Sequence, residues 1–173
     1  DAAGVSYLAT STRGEAWVMA QRSDDGGQRF GPATEVGRVV LRGNNHLVPA
    51  MPHLAASADG RLALVWVSLR RENLRAPLGD TLNAVYAARS DDGGTTWTAP
   101  EMVSAVDESG VGHRPGVAVT ADAVHALYVA GTPDGRWTLR LRSRGADGVW
   151  RSRTVGAGPD GCATRGWPGL AAS

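Results

Sequence analysis

With 173 residues the chain fits a single domain. A hydrophobic share of 42%, a charged share of 20% and a formal charge of +1 give no global electrostatic case for nucleic acid or an anionic membrane, so neither is an expected partner. One cysteine, Cys162, excludes an internal disulfide framework and a cysteine zinc cluster, and no run approaches the roughly 18 apolar residues of a membrane-spanning helix.

All 18 basic residues are Arg, which we read as genome base composition rather than selection for carboxylate recognition. The chain opens at Asp1 without Met or an apolar leader, which suits a processed product or a fragment. The 23 glycines and 9 prolines among short apolar runs predict many turns and strands. No stretch shows a helical period.

In chain order, Val5–Thr10 and Glu15–Arg22 are β-type runs, followed by a turn and a short strand over Ala33–Val36. A connector over Gly37–Pro49 leads to a fuller unit. Pro52–Ser57 reads as a strand of small residues, and Asp59-Gly60 signals a hairpin. Arg61–Leu69 is strongly apolar, and a polar loop over Arg70–Thr81 follows. Leu82–Arg89 alternates, and Glu101–Val103 is an outer strand. The third unit repeats this plan with Pro115–Thr120, Val124–Ala130, Arg136–Arg142 and Arg151–Val155.

One turn sequence recurs: Ser23-Asp24-Asp25-Gly26-Gly27-Gln28-Arg29-Phe30 and Ser90-Asp91-Asp92-Gly93-Gly94-Thr95-Thr96-Trp97. The Asp can accept hydrogen bonds from turn amides, the glycines supply positive φ, and the aromatic returns to the core. Ser143 to Trp150 keeps the seven-residue spacing, but Gly145 stands at the Asp position. The spacing Ser-x-Asp-x-Gly-x-x-aromatic resembles the Asp-box, or BNR repeat, of sialidase-type β-propellers. The residues that carry the resemblance are Ser23, Asp25, Gly27, Phe30, Ser90, Asp92, Gly94 and Trp97, and it implies a structural role for them. It also implies a secreted or extracellular location.

The expected fold is therefore all-β, a β-propeller of four-stranded antiparallel blades with three blades per chain. Blade A takes residues 1–36 plus a first strand from 168–173, blade B 52–104 and blade C 115–156. Prolines opening the first strands recur at 63 and 53 residues, a spacing suited to propeller blades rather than a β-sandwich. The tail Pro168–Ser173 repeats Pro52–Ser57 at five of six positions, while blade A lacks a first strand. Joined end to start, the tail and residues 1–11 align with residues 52–68 without a gap. Three blades cannot close a ring, since propellers use about 4–8. The expected partner is a second copy, giving six blades, or the missing half of a longer chain.

Alternating strand direction puts the repeated turns at one end of each blade and the connectors at the other. The connector end is the candidate functional face. Its candidate ligand-binding residues are Arg42, Asn45, His46, Arg70, Arg71, His113, Arg114, Arg165 and Trp167. Asp80, Asp107 and Glu108 are the candidate catalytic carboxylates. Ala50-Met51 and Gly166-Trp167 precede first strands there.

The resemblance implies three arginines around a carboxylate, a Tyr–Glu nucleophile pair and an acidic Asp. The first arginine belongs to an Arg-Ile-Pro motif. The matching triplets here are Ala50-Met51-Pro52, His113-Arg114-Pro115 and Gly166-Trp167-Pro168, and none is Arg-x-Pro. Tyr7, Tyr86 and Tyr128 all fall within expected strands.

His53 and His125 read as packing residues, and the four histidines lack metal spacing, so no metal is expected. No phosphate loop or Gly-x-Ser-x-Gly elbow occurs, and no cofactor is expected. The leading expectation is a sialidase-like propeller that binds a glycan or another polar ligand without a complete catalytic set. The alternatives are an exo-sialidase or related glycoside hydrolase with a divergent site, and a structural or designed self-assembling propeller without ligand.

Overall fold

The computed structural model describes residues 2–4, 7–8, 15–40, 47–70, 84–105, 108, 115–131 and 136–158. Every regular element among them is a strand, and all pairs are antiparallel. The first sheet holds β1 (Ala2–Gly4), β2 (Tyr7–Leu8), β3 (Glu15–Ser23) and β4 (Thr34–Val40). β1 and β2 lie end to end along one side of β3 in a single register, with Ala2 opposite Ser23 and Tyr7 opposite Val18. β4 pairs on the other side of β3.

The second sheet is a meander of β5 (Leu47–Ala56), β6 (Leu62–Arg70), β7 (Ala84–Ser90) and β8 (Glu101–Met102). The third repeats it with β9 (Gly116–Val119), β10 (Val124–Gly131), β11 (Trp137–Arg144) and β12 (Trp150–Gly158). Among the described residues the three sheets do not close on one another.

The core follows from β6. Leu62 through Val67 are six consecutive buried residues, which a strand tolerates only when both faces are covered. Leu64 and Trp66 point to the first sheet and pack with Val18, Ala20, Val36 and Ala88. Ala63, Val65 and Val67 point the other way and meet Val117, Val119, Ala126 and Tyr128 of the third sheet. The second sheet is thus sandwiched between its two neighbours. Trp66 also stacks on Tyr86 of its own sheet with ring centroids 6.1 Å apart. A Cβ on Gly37 would stand 2.8 Å from the Trp66 ring, so the close approach of β4 requires glycine there. At the far edge, β12 is exposed from Arg151 to Val155.

Three local expectations are corrected. β4 runs on to Val40 and β5 starts at Leu47, so the connector shortens to 41–46. Ala50 and Met51 therefore lie inside a first strand, at a register shift between Ala50 and His53. Pro52 has no N–H to give a ladder, and a bulge accommodates it.

The gapless alignment of the tail with residues 1–11 is displaced as well. Ser23 corresponds to Ser90, Ser90 pairs with Leu62, and Ser23 pairs with Ala2. Ala2 therefore holds the place of Leu62 rather than of Asp59, a shift of three residues that exchanges the two faces.

Finally, the third turn is one residue tighter than its spacing suggests. Arg144 pairs with Trp150, and Val124 opposite Arg144 shares a face with Ala126 and Tyr128. Arg144, not Ser143, takes the place of Ser90.

Candidate functional site

At the turn end, the two repeated sequences form the same hydrogen-bonded knot. The Gly27 N–H donates to Ser23 Oγ at 2.8 Å, Ser23 Oγ donates to Asp25 Oδ1 at 2.8 Å, and the Arg29 N–H donates to the same oxygen at 2.8 Å. In the second copy, Gly94 N–H to Ser90 Oγ and Ser90 Oγ to Asp92 Oδ1 are both 2.8 Å, and Thr96 N–H reaches Asp92 Oδ1 at 2.9 Å. Gly26, Gly27, Gly93 and Gly94 all have φ between 69° and 91°.

The Thr96 hydroxyl donates to Asp92 Oδ2 at 2.6 Å. That bond, then the Thr96 amide and the Ser90 hydroxyl, hold the Asp92 carboxyl down to about 2. These carboxylates are occupied by their own turns. Among the described residues no group of three His, Cys, Asp or Glu converges to hold a metal ion.

The aromatic closures differ. Trp97 is half-buried, donates its Nε1–H to Gly94 O at 3.2 Å and lines a crevice with Ala20, Gln21 and Arg22 of the first sheet. Phe30, in the equivalent place on the first sheet, is 49% exposed rather than returned to a core. Arg61 crosses between sheets at this end, donating from Nη2 to Ala121 O at 2.6 Å and Thr120 O at 3.3 Å.

Most of the expected connector-end residues lie outside the described residues: Arg42, Asn45, His46, Arg71, Asp80, Asp107, His113, Arg114, Arg165 and Trp167. Arg70 closes β6 at that end. Glu108 is described, and its environment is specific. Its side chain is only 9% exposed. Oε2 accepts the Tyr128 hydroxyl at 2.5 Å and the Ala105 N–H at 2.9 Å. Oε1 lies 3.3 Å from Arg140 Nε and 3.4 Å from Arg142 Nη2. Arg142 Nε in turn donates to the Tyr128 oxygen at 3.2 Å.

Burial first, and then the Glu108 carboxylate, push the Tyr128 phenol above its ordinary range. The cluster ties the start of the connector to the third sheet. Tyr128 is wholly buried within it, and Arg140 Nε is buried without a hydrogen-bond partner.

Sequence reading missed Tyr128, Arg140, Arg142 and Arg144 as a unit. Arg140, Arg142 and Arg144 alternate along β11, which sets all three on the face toward the second sheet. Arg144 Nε meets Glu101 Oε1 of β8 at 3.0 Å, so the third turn replaces a serine–aspartate knot with an inter-sheet ion pair. The period-two run Arg-Leu-Arg-Ser-Arg at 140–144 was the available signal. His125 packs as expected, with Nδ1 2.8 Å from Ser143 Oγ, whereas His53 is exposed.

No protein-family model matches the chain, and no curated protein matches its sequence. In structure it is similar to the α-L-arabinanase of Penicillium chrysogenum complexed with arabinobiose. The TM-score is 0.55 at 15% identity, over 88% of this chain and 43% of that one. At that identity the likeness carries the fold alone, a β-propeller architecture. The chain spans less than half the length of that arabinanase chain.

Proposed function

We propose that this chain is a glycan-binding β-propeller segment whose ligand face lies at the connector end. The observation that carries the reading is the likeness of its three sheets to a propeller enzyme complexed with an arabino-disaccharide. Propellers place ligands where connecting loops converge on a rigid scaffold. The sequence supplies Arg70, Arg71, Arg114, Arg165 and Trp167 to that end, groups suited to hydrogen-bonding and stacking on a sugar.

A sialidase-like ligand, an acidic sugar held through its carboxylate by arginines, is the finer form of this proposal. Binding without hydrolysis is its expected mode, because none of the first-strand triplets supplies the expected arginine. A glycan array followed by calorimetry with arabino-oligosaccharides and sialyllactose tests it, alongside turnover of fluorogenic arabinosides and sialosides. Binding without turnover is expected. Turnover would make the chain a glycosidase, and the absence of binding to any glycan would sink the reading.

A further inference from the structure

We propose that the third turn binds a tetrahedral oxyanion, phosphate or sulfate, through Arg144 of β11 and Arg89 of β7 across the seam between the second and third sheets. The first two turns are tied internally. In the second, the Asp92 carboxylate gathers the Ser90 hydroxyl and the Thr96 amide, and the Trp97 Nε1–H donates to Gly94 O at 3.2 Å. The third turn has neither device. Arg144 holds the place of Ser90, and two residues on, Ala146 stands where Asp92 would. Trp150, opposite Arg144, holds the place of Trp97, yet its Nε1 is buried without an acceptor. The one carboxylate of this turn, Asp147, is taken by Arg151, whose Nη1 and Nη2 donate to it at 3.1 and 2.6 Å.

The charges do not balance. Arg144 turns to the second sheet and meets Glu101, with Nε 3.0 Å from Oε1 and donating to Oε2 at 3.2 Å. Arg89 approaches the same Oε1 at 3.8 Å, and its buried Nε has no acceptor. Two guanidinium groups thus converge on one carboxylate. Asp147 and Arg151 offset each other, so the seam keeps a positive charge that no side chain answers. Nor does water freely dissipate it: the Arg144 and Arg89 side chains are only 15% and 27% exposed. Half-buried cations in this position are stabilised by an anion that supplies both charge and acceptors.

The donors suit phosphate or sulfate. Arg144 commits its Nε to Glu101, and among the described residues no acceptor meets its two Nη groups. A Cβ on Gly148, where φ is 76°, would stand 3.1 Å from Arg144 Nη2, so the turn leaves room for this guanidinium only with glycine there. Guanidinium forks bind oxyanions by paired N–H donors. Two forks from two sheets, with the indole N–H of Trp150 beside them, outnumber the acceptors of a carboxylate and match those of a tetrahedral group.

The site lies at the turn end, away from the connector face, so the inference does not depend on the glycan reading. Calorimetry at constant ionic strength with inorganic phosphate, sulfate and glucose 6-phosphate tests it, with chloride as the reference salt. We expect a single site on the parent protein. Arg89→Gln, which gives up only the 3.8 Å ion pair, should weaken phosphate binding about tenfold. Trp150→Phe, which keeps a ring but not the N–H, should weaken it by a smaller factor. Arg153→Gln removes an exposed arginine from the face of β12 turned the other way and should bind as the parent does. Glucose 6-phosphate binding more tightly than the free ions would assign the group to a larger ligand, and binding no tighter would assign the free ion. Absence of phosphate and sulfate binding by the parent, parental affinity in Arg89→Gln, or an equal loss in Arg153→Gln would each overturn the proposal.

Discussion

The two faces of the second sheet are built differently. Toward the first sheet the seam is apolar: Leu64, Trp66 and Ala88 against Val18, Ala20 and Val36, with Gly37 letting β4 close in. Toward the third sheet, small aliphatic residues are bordered by polar groups in two sets, Tyr128, Arg140 and Arg142 around Glu108, and Arg144 on Glu101. An apolar seam supplies stability without direction. Hydrogen bonds and ion pairs add little net energy but are unforgiving of a misplaced partner. The first seam therefore holds the sheets together, and the second fixes how they align.

That contrast breaks most visibly at Trp66. Trp66→Ala removes the largest buried ring of the apolar seam and should destabilise by about 3–5 kcal/mol in urea unfolding. Glu108→Ala should cost about 3 kcal/mol by leaving Tyr128 and Arg142 without their shared acceptor and Arg140 without its ion-pair partner. If Glu108→Ala is silent while Trp66→Ala is not, these polar groups do not hold the third sheet.

The turns give a smaller test. Ser90 is buried and bridges Gly94 to Asp92, so Ser90→Ala should cost about 1–3 kcal/mol. Ser143 has left that role to Arg144, and Ser143→Ala should change stability by only about 0.5 kcal/mol.

Acid should sharpen the same contrast. Asp59, Asp92 and Asp147 are held from an ordinary 3.8 to about 2 by bonds from their own turns. A depressed carboxyl contributes stability above its unfolded value and loses it as pH falls through the folded one. Denaturation midpoints should therefore decline between pH 4 and 2. Asp92→Asn should flatten that decline relative to the parent protein.

Much of the fold was legible because the sequence carries two-residue alternation and dihedral-specific glycines. The second and third sheets appear with nearly the expected strands. The register of the first sheet and of the third turn was not legible. Spacing counts residues along the chain, whereas register is set by which face is buried, and Ser143 and Arg144 compete for one position with equal spacing logic. The inter-sheet cluster escaped because Glu108 and Tyr128 lie far apart in the chain and only strand pairing brings β10 and β11 beneath the connector. For the ligand face, loop residues carry no period from which convergence can be read.

The double burial of Leu62–Val67 also bears on how the chain unfolds. Each outer sheet depends on the middle one, whereas the middle one is supported from both sides, so the molecule behaves as a short one-dimensional array. Opening runs inward from its ends. The amides of β6 exchange with solvent last, and only when cooperativity across the whole array is lost.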